Sequence, residues 1–180
     1  RDVLFHNNGD GTFTDVSESA FGDDINVRSA TTIACGDVNR DGWLDLYVGN
    51  LAANDFRTLD SPNHPGHYNV LYLNNGNGTF TDVTRDRGVY RTDGNGLGVV
   101  FGDYDDDGLT DIYVANDAVP NFLFHNMGAG TFEEVGFWAG VAVGLTAKPL
   151  AGMGTDMGDV TGDGHPEIFV TNLDLETHTL

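Results

Sequence analysis

Cysteine occurs once in this 180-residue chain, at position 35, so no disulfide can form within it. The neighbours Ile33, Ala34 and Gly36 are small or apolar, which predicts a small buried side chain rather than a reactive thiol. Basic residues are scarce: eight Lys and Arg stand against twenty-eight Asp and Glu, a formal net charge of −20. Nucleic-acid binding needs a basic face, so this balance argues against it, and equally against an anionic membrane surface. No apolar run reaches the roughly 20 residues that cross a bilayer, and no signal-peptide pattern is visible. Arg1 in place of Met is expected of a processed chain or an excised segment. Helical periodicity is lacking throughout. So are a nucleophile motif, a phosphate-cradling loop and a histidine-rich catalytic cluster, and an enzyme is therefore not expected. Residues that are 39% hydrophobic and 11% aromatic argue against a disordered acidic chain. The length suffices for one domain with a core.

What the chain has in abundance is one acidic loop, three times over. The copies are Asp37-Val-Asn39-Arg-Asp41-Gly42-Trp43-Leu-Asp45, Asp103-Tyr-Asp105-Asp-Asp107-Gly108-Leu109-Thr-Asp111 and Asp159-Val-Thr161-Gly-Asp163-Gly164-His165-Pro-Glu167. Oxygen side chains fall at loop positions 1, 3, 5 and 9. Gly at position 6 permits a sharp turn, and the carbonyl of position 7 can add a ligand. A hard cation such as Ca²⁺ takes six to eight oxygens, and alternate residues of a tight loop can present them. The reading is about three Ca²⁺ ions. Sites of this kind on rigid loops are typical of extracellular modules, which points to a secreted or cell-surface location.

A second unit interleaves with the loops: Val3–Val16, Val70–Val83 and Phe122–Val135, each a strand, a Gly-rich turn and a strand. Short apolar strands also flank every loop. Upstream lie Thr31–Gly36, Gly98–Gly102 and Gly152–Gly158; downstream lie Leu44–Val48, Thr110–Val114 and Glu167–Val170. One repeat is therefore four strands. A enters the ion loop, B leaves it, and C and D form the hairpin. Strand A is rich in Gly and Ala, which suits backbones crowded near an axis. Four antiparallel strands repeated about an axis make a β-propeller. The fold class is all-β, with blade-type sheets.

These motifs, together with Ala115–Leu123 and the stretches from Ala151 and Val170, resemble the FG-GAP/VCBS repeat of integrin-α-like propellers. They are most similar to its cartilage-acidic-protein-like (ASPIC/UnbV-associated) branch of secreted bacterial proteins. The resemblance implies that each A–B loop holds Ca²⁺. The ligands it implies are Asp37, Asn39, Asp41, Asp45 and the Trp43 carbonyl in the first loop. In the second they are Asp103, Asp105, Asp107, Asp111 and the Leu109 carbonyl. In the third they are Asp159, Thr161, Asp163, Glu167 and the His165 carbonyl. Thr161 and Glu167 depart from the usual pattern, so the third site is expected to be the weakest.

The single domain, residues 1–180, divides into a C–D hairpin at 1–16, full blades at 29–84 and 96–136, and an A–B hairpin at 151–172. This is three blades' worth, with one blade split between the termini. The chain is then a segment of a longer propeller, a small ring closed on itself, or a subunit whose C-terminal A–B pairs with another copy's N-terminal C–D. The last arrangement would place Val3–Phe5 beside Glu167–Val170 and build a ring or a filament.

The remaining candidates carry less. His64 and His67, in a Pro-rich insertion, could bind a transition metal but fit a solvated turn. His6 and His125 occupy equivalent C-strand positions, which argues for a structural role. Asp93-Gly-Asn95-Gly and Asp23-Asp24-Ile-Asn26 read as polar loops. Asn77-Gly-Thr79 matches a glycosylation acceptor within a tight turn. The apolar connection Phe137–Leu150, with Trp138 and Val141, is either a partner surface or packing beneath a neighbouring blade. The insertion Asn50–Asn69 is the best place for recognition of a protein or glycan. The expected function is a non-catalytic, calcium-binding scaffold for adhesion or assembly. The alternative is a carbohydrate-binding or polysaccharide-active propeller domain.

Overall fold

A computed structural model describes residues 1–51 and 68–173. The insertion carrying His64 and His67 lies outside the described residues. Two four-stranded antiparallel sheets form the body. The first comprises β3 (Ala30–Gly36), β4 (Asp45–Asn50), β5 (Val70–Asn74) and β6 (Phe80–Asp82). The second comprises β7 (Gly96–Gly102), β8 (Asp111–Asn116), β9 (Phe122–Asn126) and β10 (Phe132–Glu134). Two-stranded sheets flank them: β1 (Phe5–Asn7) with β2 (Phe13–Asp15), and β11 (Gly152–Gly158) with β12 (Glu167–Asn172). In each sheet every strand pairs with its neighbour in sequence.

Period-two alternation explains how the sheets stack. Successive side chains of a strand point to opposite faces, and here both faces of the central strands are buried. Leu46, Val48, Val70 and Tyr72 point to one side of the first sheet, toward Phe21. Tyr47, Leu71 and Leu73 point to the other, where they meet Ile112, Val114, Phe122 and Phe124 of the second sheet. On the far side of that sheet Tyr113, Ala115 and Leu123 pack with Val170 and Ile168 of β12. The order is thus N-terminal hairpin, first sheet, second sheet, C-terminal hairpin.

The inner strands β3, β7 and β11 run side by side. Their glycines allow this: a Cβ on Gly98 would stand 2.9 Å from the Thr155 backbone nitrogen. Buried asparagines tie the opposite ends of the sheets. The backbone N–H groups of Asn50 and Asn116 donate to the side-chain oxygens of Asn69 and Asn121, at 2.9 and 2.8 Å.

Two features differ from the sequence-based expectation. First, a one-turn helix, α1 (Ser17–Phe21), follows β2, and a 3-10 turn covers Gly22–Asp24. The helix closes with an Ala20 N–H to Val16 carbonyl bond of 2.8 Å. Phe21 holds it by packing on the rings of Tyr72 and Phe80, at centroid distances of 4.9 and 5.2 Å. One turn is too short to show a helical period. Second, Cys35 is exposed, not buried. It lies on the outward face of β3 with Ile33, where no strand of the described residues covers it. Nearby protein atoms still desolvate the thiol enough to push its pKa up, so it remains a poor nucleophile. Within the chain Val3–Phe5 do not lie beside Glu167–Val170, so of the expected arrangements the small ring closed on itself is not formed. The two hairpins stand at opposite ends of the stack, each paired only with itself among the described residues.

Candidate metal centre

Each acidic loop joins an inner strand to the next: β3 to β4, β7 to β8 and β11 to β12. The three share one internal hydrogen-bond plan. The position-1 carboxylate accepts the N–H of the position-6 glycine: Asp37 from Gly42 at 2.9 Å, Asp103 from Gly108 at 2.7 Å, and Asp159 from Gly164 at 3.0 Å. The position-5 carboxylate accepts from position 7: Asp41 from Trp43, Asp107 from Leu109, and Asp163 from His165. Position 9 reaches back to position 2: Asp45 to Val38, Asp111 to Tyr104, and Glu167 to Val160. These bonds fold each loop around its own oxygens.

The turn demands left-handed backbone at two places, not one. The position-6 glycines Gly42, Gly108 and Gly164 have φ of 87°, 80° and 96°. Position 4 is also left-handed, with Arg40 and Asp106 both at 60° and Gly162 at 78°. Only glycine adopts such φ without steric cost, so Arg40 and Asp106 are held there by the surrounding loop.

Burial divides the ligand sets. Asp45 and Asp111 are wholly buried at the start of β4 and β8, whereas Asp41, Asp105 and Asp107 are exposed. Burial pushes the Asp45 and Asp111 carboxyls up, and backbone N–H donors only partly offset it. Those donors include Asn74 at 2.8 Å to Asp45 and Asn126 at 2.7 Å to Asp111. The Asn126 side chain also donates to the Val38 carbonyl at 2.8 Å, tying the second loop's support to the first loop. In the third loop the Gly162 and Gly164 N–H groups hold Asp159 below the usual carboxylate range. Glu167 engages Val160 and Thr161 N–H groups and, at 3.2 Å, the Thr161 hydroxyl.

Among the described residues, acidic and histidine side chains converge closely enough to hold a cation only in the second loop. Asp103, Asp105 and Asp111 form one group, and Asp105, Asp107 and His125 another. The first loop has Asn39 where the second has Asp105, and the third has Thr161. The equivalence of His125, on β9, with His6 argues for a structural part, yet its ring stands beside Asp105 and Asp111 of the loop. Sequence spacing missed it and Asn74 and Asn126 because they come from strand C, brought to the loop only by β-pairing. His165 turns away from its own loop and meets Asp106 of the second at 2.6 Å, which raises its pKa. Elsewhere the Asn77 side chain accepts both the N–H and the hydroxyl of Thr79. Phe137 and Trp138 are exposed, while Ala142 is buried. The concentrated oxygen donors of the second loop suit it to binding a cation.

The FG-GAP-like repeat family model matches residues 1–48, 58–114 and 103–170. The chain is 28% identical over 167 residues to human cartilage acidic protein 1, covering 86% of this chain and 23% of the relative. It is 29% identical to the mouse protein of that name and 26% identical to the one from Xenopus tropicalis. In each of these two cases the match covers 86% of this chain and 24% of the relative. The chain therefore spans about a quarter of the length of these curated relatives.

Proposed function

We propose that this chain, which belongs to the FG-GAP-like repeat family, is a non-catalytic, calcium-stabilised propeller scaffold that works outside the cell in adhesion or assembly. The observation that carries the reading is the common hydrogen-bond plan of the three loops, which gathers several carboxylates in each turn. Residues Asp37, Asn39, Asp41 and Asp45, and Asp103, Asp105, Asp107 and Asp111, would hold the ions. Bound Ca²⁺ would offset carboxylate repulsion and brace each A–B turn. Titration calorimetry with Ca²⁺, paired with thermal unfolding in Ca²⁺ and in chelator, tests it. Binding with a raised Tm is expected; no heat of binding and an unchanged Tm would overturn it.

Assembly has its own structural support. Phe122, Phe124 and Phe132 of the second sheet are buried against the first. On the other side of the second sheet, the matching place is a cavity of about 410 Å³ lined by Tyr104, Tyr113, Leu123, Val141, Ile168 and Val170. The counterparts of the three phenylalanines in the repeat are Val3, Phe5 and Phe13, and these are 51%, 60% and 61% exposed. An exposed apolar hairpin at one end and an apolar-lined cavity at the other support this reading. A second copy's β1–β2 filling the cavity beside β12 completes the split blade. Light scattering across a concentration series is expected to show mass above one subunit. A single-subunit mass at every concentration would count against it.

A further inference from the structure

We infer that the second acidic loop also takes a first-row transition ion such as Zn²⁺, through Asp105, Asp107 and the imidazole of His125. The inference builds on the cation-binding reading of that loop and goes beyond it in the class of ion. The Nδ1 atom of His125 lies 3.4 Å from an Asp105 oxygen and 3.5 Å from an Asp111 oxygen. It is screened from solvent and makes no hydrogen bond. One ligand atom from each of Asp105, Asp107 and His125 falls within a common 4.8 Å span. Zn–N and Zn–O bonds of about 2.0–2.2 Å in tetrahedral array set ligand atoms about 3.4 Å apart. The nitrogen and the Asp105 oxygen already stand at that separation.

The local fold explains why the ring is there. Pairing of Ile112 with Phe124 fixes the β8–β9 register, so the next residue of β9 sits over the loop that leads into β8. The Tyr104 ring meets His125 edge-on, with centroids 5.8 Å apart, and limits its rotation. In the first sheet the same register puts Leu73 over the loop, packed into the apolar core. That loop also carries Asn39 in place of Asp105. Calcium selects oxygen, whereas imidazole nitrogen suits Zn²⁺ and its neighbours. The first loop is therefore a hard-cation site only, and the second accepts both classes. Asp105 belongs to both ligand groups of the second loop, so the two ions compete.

Cobalt provides the probe, since Co²⁺ in a nitrogen–oxygen site absorbs visible light and Ca²⁺ does not. The full chain is titrated with Co²⁺, then with Zn²⁺ to displace it, and the titrations are repeated with excess Ca²⁺. Wild type is expected to bind one Co²⁺ with visible bands that Zn²⁺ removes and that excess Ca²⁺ weakens. His125→Leu and His125→Gln are expected to lower Co²⁺ affinity about tenfold or more, the range in which metal sites respond to loss of support. Circular dichroism identifies any variant that fails to fold, and the glutamine variant keeps a polar side chain for that reason. A parallel NMR titration follows the His125 imidazole in the wild type. Unchanged Co²⁺ binding in a folded variant, or no shift at His125, overturns the inference. Calcium titrations on the same samples separate the two readings: Ca²⁺ binding without Co²⁺ binding defeats this inference and leaves the calcium scaffold standing. Co²⁺ binding through His125 without Ca²⁺ binding does the reverse.

Discussion

Asp111 and Asp105 occupy one loop but differ in what their loss would do. Asp111 is buried and satisfies two backbone N–H groups, those of Tyr104 and Asn126. An unpaired buried donor costs about 1–3 kcal/mol. Asp111→Ala is therefore expected to destabilise the fold by about 2–4 kcal/mol in chelator as well as in Ca²⁺, read by urea unfolding. Asp105 is exposed and, among the described residues, accepts no backbone N–H. Asp105→Ala is expected to lower Tm in Ca²⁺ and to leave it unchanged or raised in chelator, where a repelling charge has gone. A different pH-dependent contact lies at Asp15, whose carboxyl is held below its usual range by the Ser17 hydroxyl and then by the Ser17 N–H. A lowered folded pKa contributes stability above the unfolded value of about 3.9, and that stability is lost as pH falls through the folded value. Protection of the amides of Ser17 and Leu4, whose N–H donates to the Ser17 hydroxyl, relative to their intrinsic exchange rates is expected to fall as pH falls through this range. Asp15→Asn is expected to remove most of that dependence. Spacing alone made the loop oxygens legible. It could not tell Asp111 from Asp105, because burial at position 9 depends on the strand that follows.

At the scale of the element, the strands were legible and their ends less so. Alternating apolar residues marked B strands from Leu44, Thr110 and Glu167, and the structure has them starting at Asp45, Asp111 and Glu167. All three run on to an asparagine that ends the strand, Asn50, Asn116 and Asn172. A polar residue reads as a loop in sequence, yet these asparagines are buried. Helix α1 was invisible because its single turn is stabilised by Phe21 against a distant sheet rather than by its own periodicity. The glycine-rich inner strands offer the cleanest test of packing. Gly98→Ala would drive a methyl into the backbone at Gly154 and Thr155. Overpacking of this kind costs about 1–3 kcal/mol, and here no flexible side chain can yield. Lowered urea midpoint and faster proteolysis of β11–β12 are the expected outcomes; unaltered stability would mean the strands can part freely.

The whole molecule has a polarity that no single strand reveals. One end presents an apolar hairpin and the other a cavity of matching character. Under the proposed blade completion, Phe5→Glu is expected to abolish concentration-dependent association measured by light scattering. Because Phe5 is 60% exposed in the single chain, the same change is expected to alter unfolding stability by no more than about 0.5 kcal/mol. Loss of association together with a collapse of the fold would instead place Phe5 in the core of one subunit.

The strand order has a consequence in time. Among the described residues no strand waits for a partner from far along the chain, since each pairs with the one before or after it. Loop closure is the main entropic barrier to β-pairing, and short separations keep it low. Ala30–Asp82 contains all four strands of the first sheet, and Phe21, which packs on it, precedes them, so that sheet can form while the second is still being synthesised at about 5–20 residues per second. Its Tyr47–Leu71 face then waits, exposed, for Phe122 and Phe124. The interval between the two sheets, not the pairing within either, is when a nascent chain is most open to aggregation or to capture by a chaperone.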